Sequence, residues 1–218
     1  MSGDADLLVE GLGRLHLPFG PEHLGKLRIF LEELKRWNRS YGFVGGGSGA
    51  TERELIVRHV LDCLAAWENI SALARREVAD VGSGAGFPGI PLAVFLPEAR
   101  FTLVEPTAKK SAFLRNVAIL AGLPNVRVAE ARLEQLEQRF DLVVFRAFSP
   151  LHRSLDALQR ILLPGGVIVA YKGKRARILE ELKASGLDSR QVEILAVRVP
   201  FLNEERHLVV VSKASSES

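Results

Sequence analysis

Three glycines alternate in Asp80-Val-Gly-Ser-Gly-Ala-Gly-Phe-Pro-Gly89: Gly82, Gly84 and Gly86. They follow the apolar residues Val78, Ala79 and Val81, and a segment of helix length comes next. Glycine admits positive φ and lets a ligand approach the backbone closely. Between a strand and a helix, free N–H groups and the positive end of the helix also favour an anionic group. A tight strand-to-helix turn needs glycine too, so the spacing has to discriminate. A dinucleotide turn reads G-x-G-x-x-G. Counted from Gly82, the third place of that pattern holds Phe87, and the third glycine stands one residue early. No G-x-x-x-x-G-K-[ST] string occurs, which excludes a P-loop.

The next position with chemistry is Glu105, at the end of the apolar run Phe101-Thr-Leu-Val. A carboxylate there, about 20 residues past a glycine turn, is placed to accept hydrogen bonds from both hydroxyls of a ribose. The ligand then needs a ribose and an anionic or zwitterionic group near the turn, with no sign of a pyrophosphate. S-adenosylmethionine fits, with its adenosine on Glu105 and its methionine end over Gly82–Gly86.

Several acceptor chemistries drop out. Methylating a pyrimidine carbon needs a cysteine nucleophile; Cys63, the single cysteine, stands in an apolar helical stretch and reads as core. Radical methylation needs a three-cysteine cluster. Amine methylation of adenine commonly uses an Asn/Asp-Pro-Pro-aromatic loop, and the corresponding place reads Phe-Arg146-Ala-Phe-Ser-Pro. Guanine N7 has an in-plane lone pair and no proton to lose, so it requires alignment rather than a base. The five histidines are scattered without ligand spacing, so no metal site is expected. His59 and Asp62 share a helix face, which suggests a structural hydrogen bond or a substrate role.

These residues need a scaffold, and hydrophobic periodicity supplies its outline. Leu24, Leu27, Leu31 and Leu34 form one helical stripe. GFVGGGSGA (42–50) reads as a flexible loop. Thr51 and Glu54 form a capping box for a helix that buries Leu55, Ile56, Val60, Leu61 and Leu64. Strands are predicted near 78–81, 101–104, 126–129, 141–145, 167–171, 192–199 and 207–211. Helices are predicted near 89–96, 108–121, 132–138, 151–162 and 175–185, with Leu163-Pro-Gly-Gly166 closing one of them and opening the next strand. Such alternation implies an α/β fold with a mostly parallel sheet covered on both faces. The short spacer before the last strand implies an antiparallel hairpin. The arrangement looks like the Rossmann-like, seven-stranded class I methyltransferase fold.

The chain has 218 residues, 47% of them hydrophobic, and 29 basic against 26 acidic side chains. That is ordinary globular composition. No apolar run has membrane length, and the acidic start MSGDADLLVE lacks the features of a secretory signal. A cytoplasmic protein is expected. Cations cluster at Lys35, Arg36 and Arg39 around Trp37, and at Lys172, Lys174, Arg175 and Arg177. Each cluster suits a solvated face or nucleic acid. Lys172 ends a strand, the place where ligands of parallel sheets bind.

Taken together, WN (37–38), RHVLDCL (58–64), DVGSGAGFPGIPLA (80–93), FTLVEPTAKKSAFLR (101–115), AEARLEQL (129–136), FRAFSPL (145–151), LLPGG (162–166), YKG (171–173) and ERHLVVV (205–211) resemble the small-subunit ribosomal RNA methyltransferase G family, also called glucose-inhibited division protein B. The resemblance spans nearly the whole chain and implies N7 methylation of one guanine in 16S RNA by S-adenosylmethionine. The partner implied is 16S RNA or the small subunit, and a monomer is expected. By position, it implies that Gly82, Gly84, Gly86 and Phe87 form the cofactor turn and that Glu105, Pro106 and Thr107 bracket the adenosine. It puts Leu133 and Glu134 at the adenine, and Arg146 beside the methionine end or the target base. Lys172, Lys174, Arg175, Arg177 and Arg206 become RNA-binding candidates. Residues 1–75 read as a helical extension and 76–218 as the methyltransferase domain. RSYGFVGGGSGA (39–50) departs from the family pattern. A methyltransferase for a small molecule or a protein, and a binding module without turnover, are the competing readings.

Overall fold

The structure is a computed structural model describing residues 3–45, 50–74 and 76–212. Two helices, α1 (Gly3–Arg14) and α2 (Pro21–Tyr41), come first. Three consecutive helical spans, Glu52–Leu55, the π-helical Ile56–Leu61 and Asp62–Leu64, form α3, and α4 is Trp67–Leu73. The remainder alternates: β1 (Glu77–Val81), α5 (Gly89–Phe95), β2 (Arg100–Val104), α6 (Ala108–Leu120), β3 (Val126–Ala129), β4 (Phe140–Arg146), α7 (Leu151–Arg160), β5 (Leu162–Lys172), α8 (Arg175–Ser185), β6 (Val192–Val197) and β7 (Arg206–Ser212).

The seven strands form one sheet in the order β3-β2-β1-β4-β5-β7-β6. All pairs are parallel except those of β7, which runs antiparallel to both β5 and β6. The hairpin is therefore as expected, and β7 is inserted between its partners. Side chains alternate along each strand. Val78, Leu142 and Val144 join one core cluster, while Ala79, Val81, Val143 and Phe145 join the other. The first cluster also takes in Leu8, Leu12, Leu27, Phe30, Leu34 and Leu61, so the N-terminal helices cover one face of the sheet. Each fully buried Leu or Phe contributes about 1.5–3 kcal/mol.

Three local expectations need amending. The predicted helix over 132–138 is a single 3-10 turn, Leu133–Gln135. Only Leu133 and Leu136 are buried there, too little apolar surface to dock a longer helix. Leu163-Pro-Gly-Gly166 lies within β5 rather than before it. The β4–β5 register jumps from Phe140↔Leu162 to Leu142↔Val167, so these four residues bulge from the ladder. The expected loop 42–50 is partly ordered by tertiary contacts, and its residues 46–49 lie outside the described residues. Gly42 caps α2 in the left-handed region, and the Asn38 side chain both donates to Val44 O and accepts from Val44 N at 2.9 Å. Phe43 then packs between Trp37, Tyr41 and Phe113. The Thr51–Glu54 capping box forms, and every apolar residue assigned to the buried face of α3 is buried.

Candidate active site

The turn after β1 is built by bonds to the end of β2 and by bonds within itself. Gly82 N and Ser83 N both donate to Val104 O, and Gly86 N and Phe87 N both donate to Ser83 O. All three alternating glycines have positive φ, +71°, +55° and +90°. Their surroundings differ. A Cβ on Gly82 would lie 2.4 Å from the Phe148 ring, and one on Gly86 would meet Ile90, Leu114 and Phe30 in the core. A Cβ on Gly84 would meet only Gly82 O, at 3.7 Å. Gly86 therefore serves helix-to-sheet packing, Gly82 lies under an aromatic ring, and Gly84 leaves its face open.

Glu105 is 4% exposed. Its Oε2 accepts from Gly84 N at 3.0 Å and its Oε1 from Thr107 N at 2.9 Å. The carboxylate thus fixes the glycine turn across 21 residues, and each oxygen keeps a further lone pair for a ligand. Above it lies a cavity of about 350 Å³. Of the residues singled out in the sequence, Gly82, Gly84, Phe87, Glu105, Pro106 and Arg146 line it. Gly86, Thr107, Leu133 and Glu134 do not. Phe43, Val44, Lys110 and Phe148 do, and sequence reasoning missed them. Lys110, five residues past Glu105, was the one with a local signal.

Arg146, at the end of β4, is committed on both terminal nitrogens. Nη1 donates to Arg58 O at 3.0 Å and to Asp62 Oδ2 at 2.9 Å, and Nη2 lies 2.7 Å from His59 Nδ1. Its guanidinium also stands over the Phe87 ring. The π-helical stretch of α3 presents Arg58 O and His59 for this purpose, consistent with the placing of such bulges at functional sites. Asp62 Oδ1 accepts from Arg206 Nε at 2.8 Å, so one buried carboxylate joins two arginines. The expected His59–Asp62 bond is replaced by this bridge. Burial, then the charges of Arg146 and Arg58, push the His59 pKa down to about 4. A second cavity, of about 530 Å³, lies on the far side, and Arg146 and Ala147 line both.

The basic candidates divide. Lys172 bonds both carboxylate oxygens of Glu181, at 2.8 and 2.9 Å, and Arg206 is held by Asp62 and Glu204. Lys174, Arg175 and Arg177 are exposed at the start of α8, with no ion-pair partner among the described residues. Asp80 is fully buried, and its Oδ2 accepts from Gly89 N at 2.9 Å while Oδ1 has no partner among the described residues. Burial, opposed by the Gly89 N–H, raises its pKa to about 7. A Cβ at Gly89 would fall 2.6 Å from that carboxylate, so glycine makes room for it. The buried Cys63 thiol is pushed far up by burial, which removes it as a nucleophile. No group of His, Cys, Asp and Glu among the described residues has metal-binding geometry. No helix among them is long and apolar enough to cross a membrane.

A parallel sheet closed by an antiparallel strand, with an open glycine turn after β1 and a buried acid after β2, defines a class I methyltransferase. Solved structures share the architecture. One is a provisionally assigned O-methyltransferase from Klebsiella pneumoniae, with a TM-score of 0.63, 18% identity and 96% of each chain covered. Another is a ribosomal protein L11 methylase from Lactobacillus delbrueckii subsp. bulgaricus, with a TM-score of 0.56, 18% identity and 76% and 81% covered. The family model described as rRNA small subunit methyltransferase G matches residues 23–209, and the chain belongs to that family. Two relatives are named Ribosomal RNA small subunit methyltransferase G. That of Treponema pallidum (strain Nichols) is 39% identical over 212 residues, covering 94% of this chain and 92% of the relative. That of Neisseria meningitidis serogroup B is 34% identical over 204 residues, covering 93% and 95%.

Proposed function

We propose that this protein transfers the methyl group of S-adenosylmethionine to N7 of a guanine in 16S ribosomal RNA, guanine 527 in the usual rRNA numbering. The observation that carries the reading is a pair of cavities sharing one wall, Arg146–Ala147, in a chain of this family. The cavity over the glycine turn fits the cofactor: Gly84 leaves its backbone bare, and Glu105 offers free lone pairs to ribose hydroxyls. The bound cofactor supplies an electrophilic methyl on a sulfonium. Gly82, Gly84, Phe87, Glu105 and Pro106 hold it. Gly86 and Thr107 act from behind, one through the core and the other through its N–H on Glu105. Leu133 and Glu134 keep their assignment at the adenine edge from the family resemblance alone.

N7 carries no proton, so no side chain has to remove one, and positioning supplies the rate. Arg146 is a positioning residue. With both terminal nitrogens engaged, it fixes α3 and Phe87 against the end of β4. Lys174, Arg175 and Arg177 bind RNA phosphates. Cations in the first turn of a helix oppose its dipole at a cost of about 0.3–1 kcal/mol each, a burden that anion binding relieves. Lys172 and Arg206 contribute through the ion pairs that shape the wall. Residues 1–75 act as a helical extension of a 76–218 catalytic domain, in a cytoplasmic monomer. Incubation with labelled S-adenosylmethionine and small-subunit RNA or particles, followed by nucleoside analysis, tests this. The expected product is 7-methylguanosine. Label only in protein or small molecules, or binding without transfer, refutes it.

A further inference from the structure

The cavity of about 530 Å³ beyond Arg146 has an unusual polar inventory. Most of its polar side chains are already paired. Arg58 bonds Glu204, and Asp62 is shared by Arg146 and Arg206. Tyr171 donates to Cys63 O, and Lys172 is held by Glu181. Two ring nitrogens are left. His59 faces an arginine through Nδ1, and because an arginine only donates, Nδ1 must accept and the proton sits on Nε2. His207, 7% exposed on β7, lies with Nδ1 2.7 Å from Gly173 O, so Nδ1 carries the proton and Nε2 of the neutral ring accepts. Neither Nε2 has a partner among the described residues. The protein has therefore fixed opposite tautomers on two histidines lining one cavity: a donor at His59 and an acceptor at His207.

We propose that this cavity receives the extruded target base and that the His59–His207 pair reads its O6–N1 edge as guanine. The proposal rests on the function proposed above and adds where the base sits and what recognises it. N7 has to face the wall shared with the cofactor cavity, which is Arg146–Ala147. Along a guanine the next edge atom after N7 is O6, an acceptor, and then N1–H, a donor. His59, bonded to Arg146 of that wall, supplies the donor for O6, and His207 supplies the acceptor for N1–H. Adenine presents the reverse order, an amino donor at C6 and an acceptor at N1, and leaves two like pairs facing each other. Each Asp62 oxygen already accepts from an arginine, whereas His207 Nε2 has no partner among the described residues, so His207 is the acceptor assigned to N1–H.

The test is single-turnover methylation of small-subunit RNA carrying guanine, inosine or 2,6-diaminopurine at the methylated position. Inosine keeps O6 and N1–H and is expected to react within about threefold of guanine. Diaminopurine keeps N7 and the 2-amino group but reverses the O6–N1 edge. It is expected to react at least tenfold more slowly, about 1.4 kcal/mol. His207→Asn keeps a donor for the Gly173 carbonyl and lacks the far nitrogen. It should lower kcat/KM on guanine RNA about tenfold and narrow the guanine–diaminopurine gap, with S-adenosylmethionine affinity unchanged; His207→Gln should recover part. Diaminopurine reacting like guanine, or undiminished discrimination in a folded His207→Asn, overturns the proposal while the function stands. Wild-type protein that methylates no RNA guanine overturns both. If His207→Asn fails to fold, the substituted RNAs with wild-type protein still decide.

Discussion

Replacing Glu105 by glutamine separates the two tasks that the carboxylate performs. In the wild type each oxygen accepts one backbone N–H, from Gly84 at 3.0 Å and Thr107 at 2.9 Å, in a site only 4% exposed. Glutamine keeps one acceptor and puts an NH₂ group against the other N–H. A hydrogen bond to a charged group contributes about 1.5–3 kcal/mol, and a buried donor left unpaired costs about 1–3 kcal/mol. The two figures describe overlapping losses, so Glu105→Gln should lose about 2–3 kcal/mol of stability. Cofactor affinity suffers separately, because the ribose loses a charged acceptor and the Gly84 turn loses its anchor. One charge-assisted bond at about 1.5–3 kcal/mol corresponds to about 10- to 160-fold in Kd. Calorimetric titration with S-adenosylmethionine, beside urea unfolding, measures both quantities. Glutamine that destabilises the fold but binds the cofactor with wild-type affinity would show that Glu105 only braces the turn and would remove it from the binding site.

Other substitutions address the turn, the buried acid, the basic run and the arginine. Gly84→Val should fold with a loss of about 1–2 kcal/mol from the left-handed backbone, since nothing crowds a Cβ there, and should abolish cofactor binding in the same calorimetric titration. Asp80 holds its proton in the fold up to about pH 7, whereas the unfolded chain releases it near 3.8. Between those values the folded state binds more protons, so this group's contribution falls as pH rises, by about 4 kcal/mol in all. Asp80→Asn should remove that decline, visible as a flatter urea-stability profile between about pH 4 and 7; a pH-independent difference from wild type argues against it. Neutralising Lys174, Arg175 or Arg177 should flatten the salt dependence of RNA binding by about 0.7–0.9 log units of slope for each phosphate no longer neutralised, with cofactor affinity unchanged. Arg146→Lys should lower single-turnover methylation at saturating cofactor and RNA, because an ammonium cannot hold Arg58 O, Asp62 and His59 together.

What the sequence determined by itself was whatever local pattern encodes. Strand positions followed from short apolar runs and helix positions from spacings of three and four, because a strand covered on both faces is apolar throughout whereas a helix turns one apolar face to the core. The turn at Gly82–Gly86 was legible because positive φ is a local demand. The capping box at Thr51 closes within three residues. Only the tertiary structure decided what meets across the fold. The Glu105–Gly84 bond spans 21 residues, Arg146–Asp62 spans 84 and Arg206–Asp62 spans 144. No periodicity records such separations, because they are set by which strand lies beside which. For the same reason Lys172, an RNA-binding candidate by its position at a strand end, turned out to be held by Glu181, and Gly86, one of three alike in the sequence, faces Ile90 and Phe30 rather than the cavity. Residue type fixes what a side chain is able to bond, and the packing of β4, β5 and β7 against α3 fixes which partners are within reach.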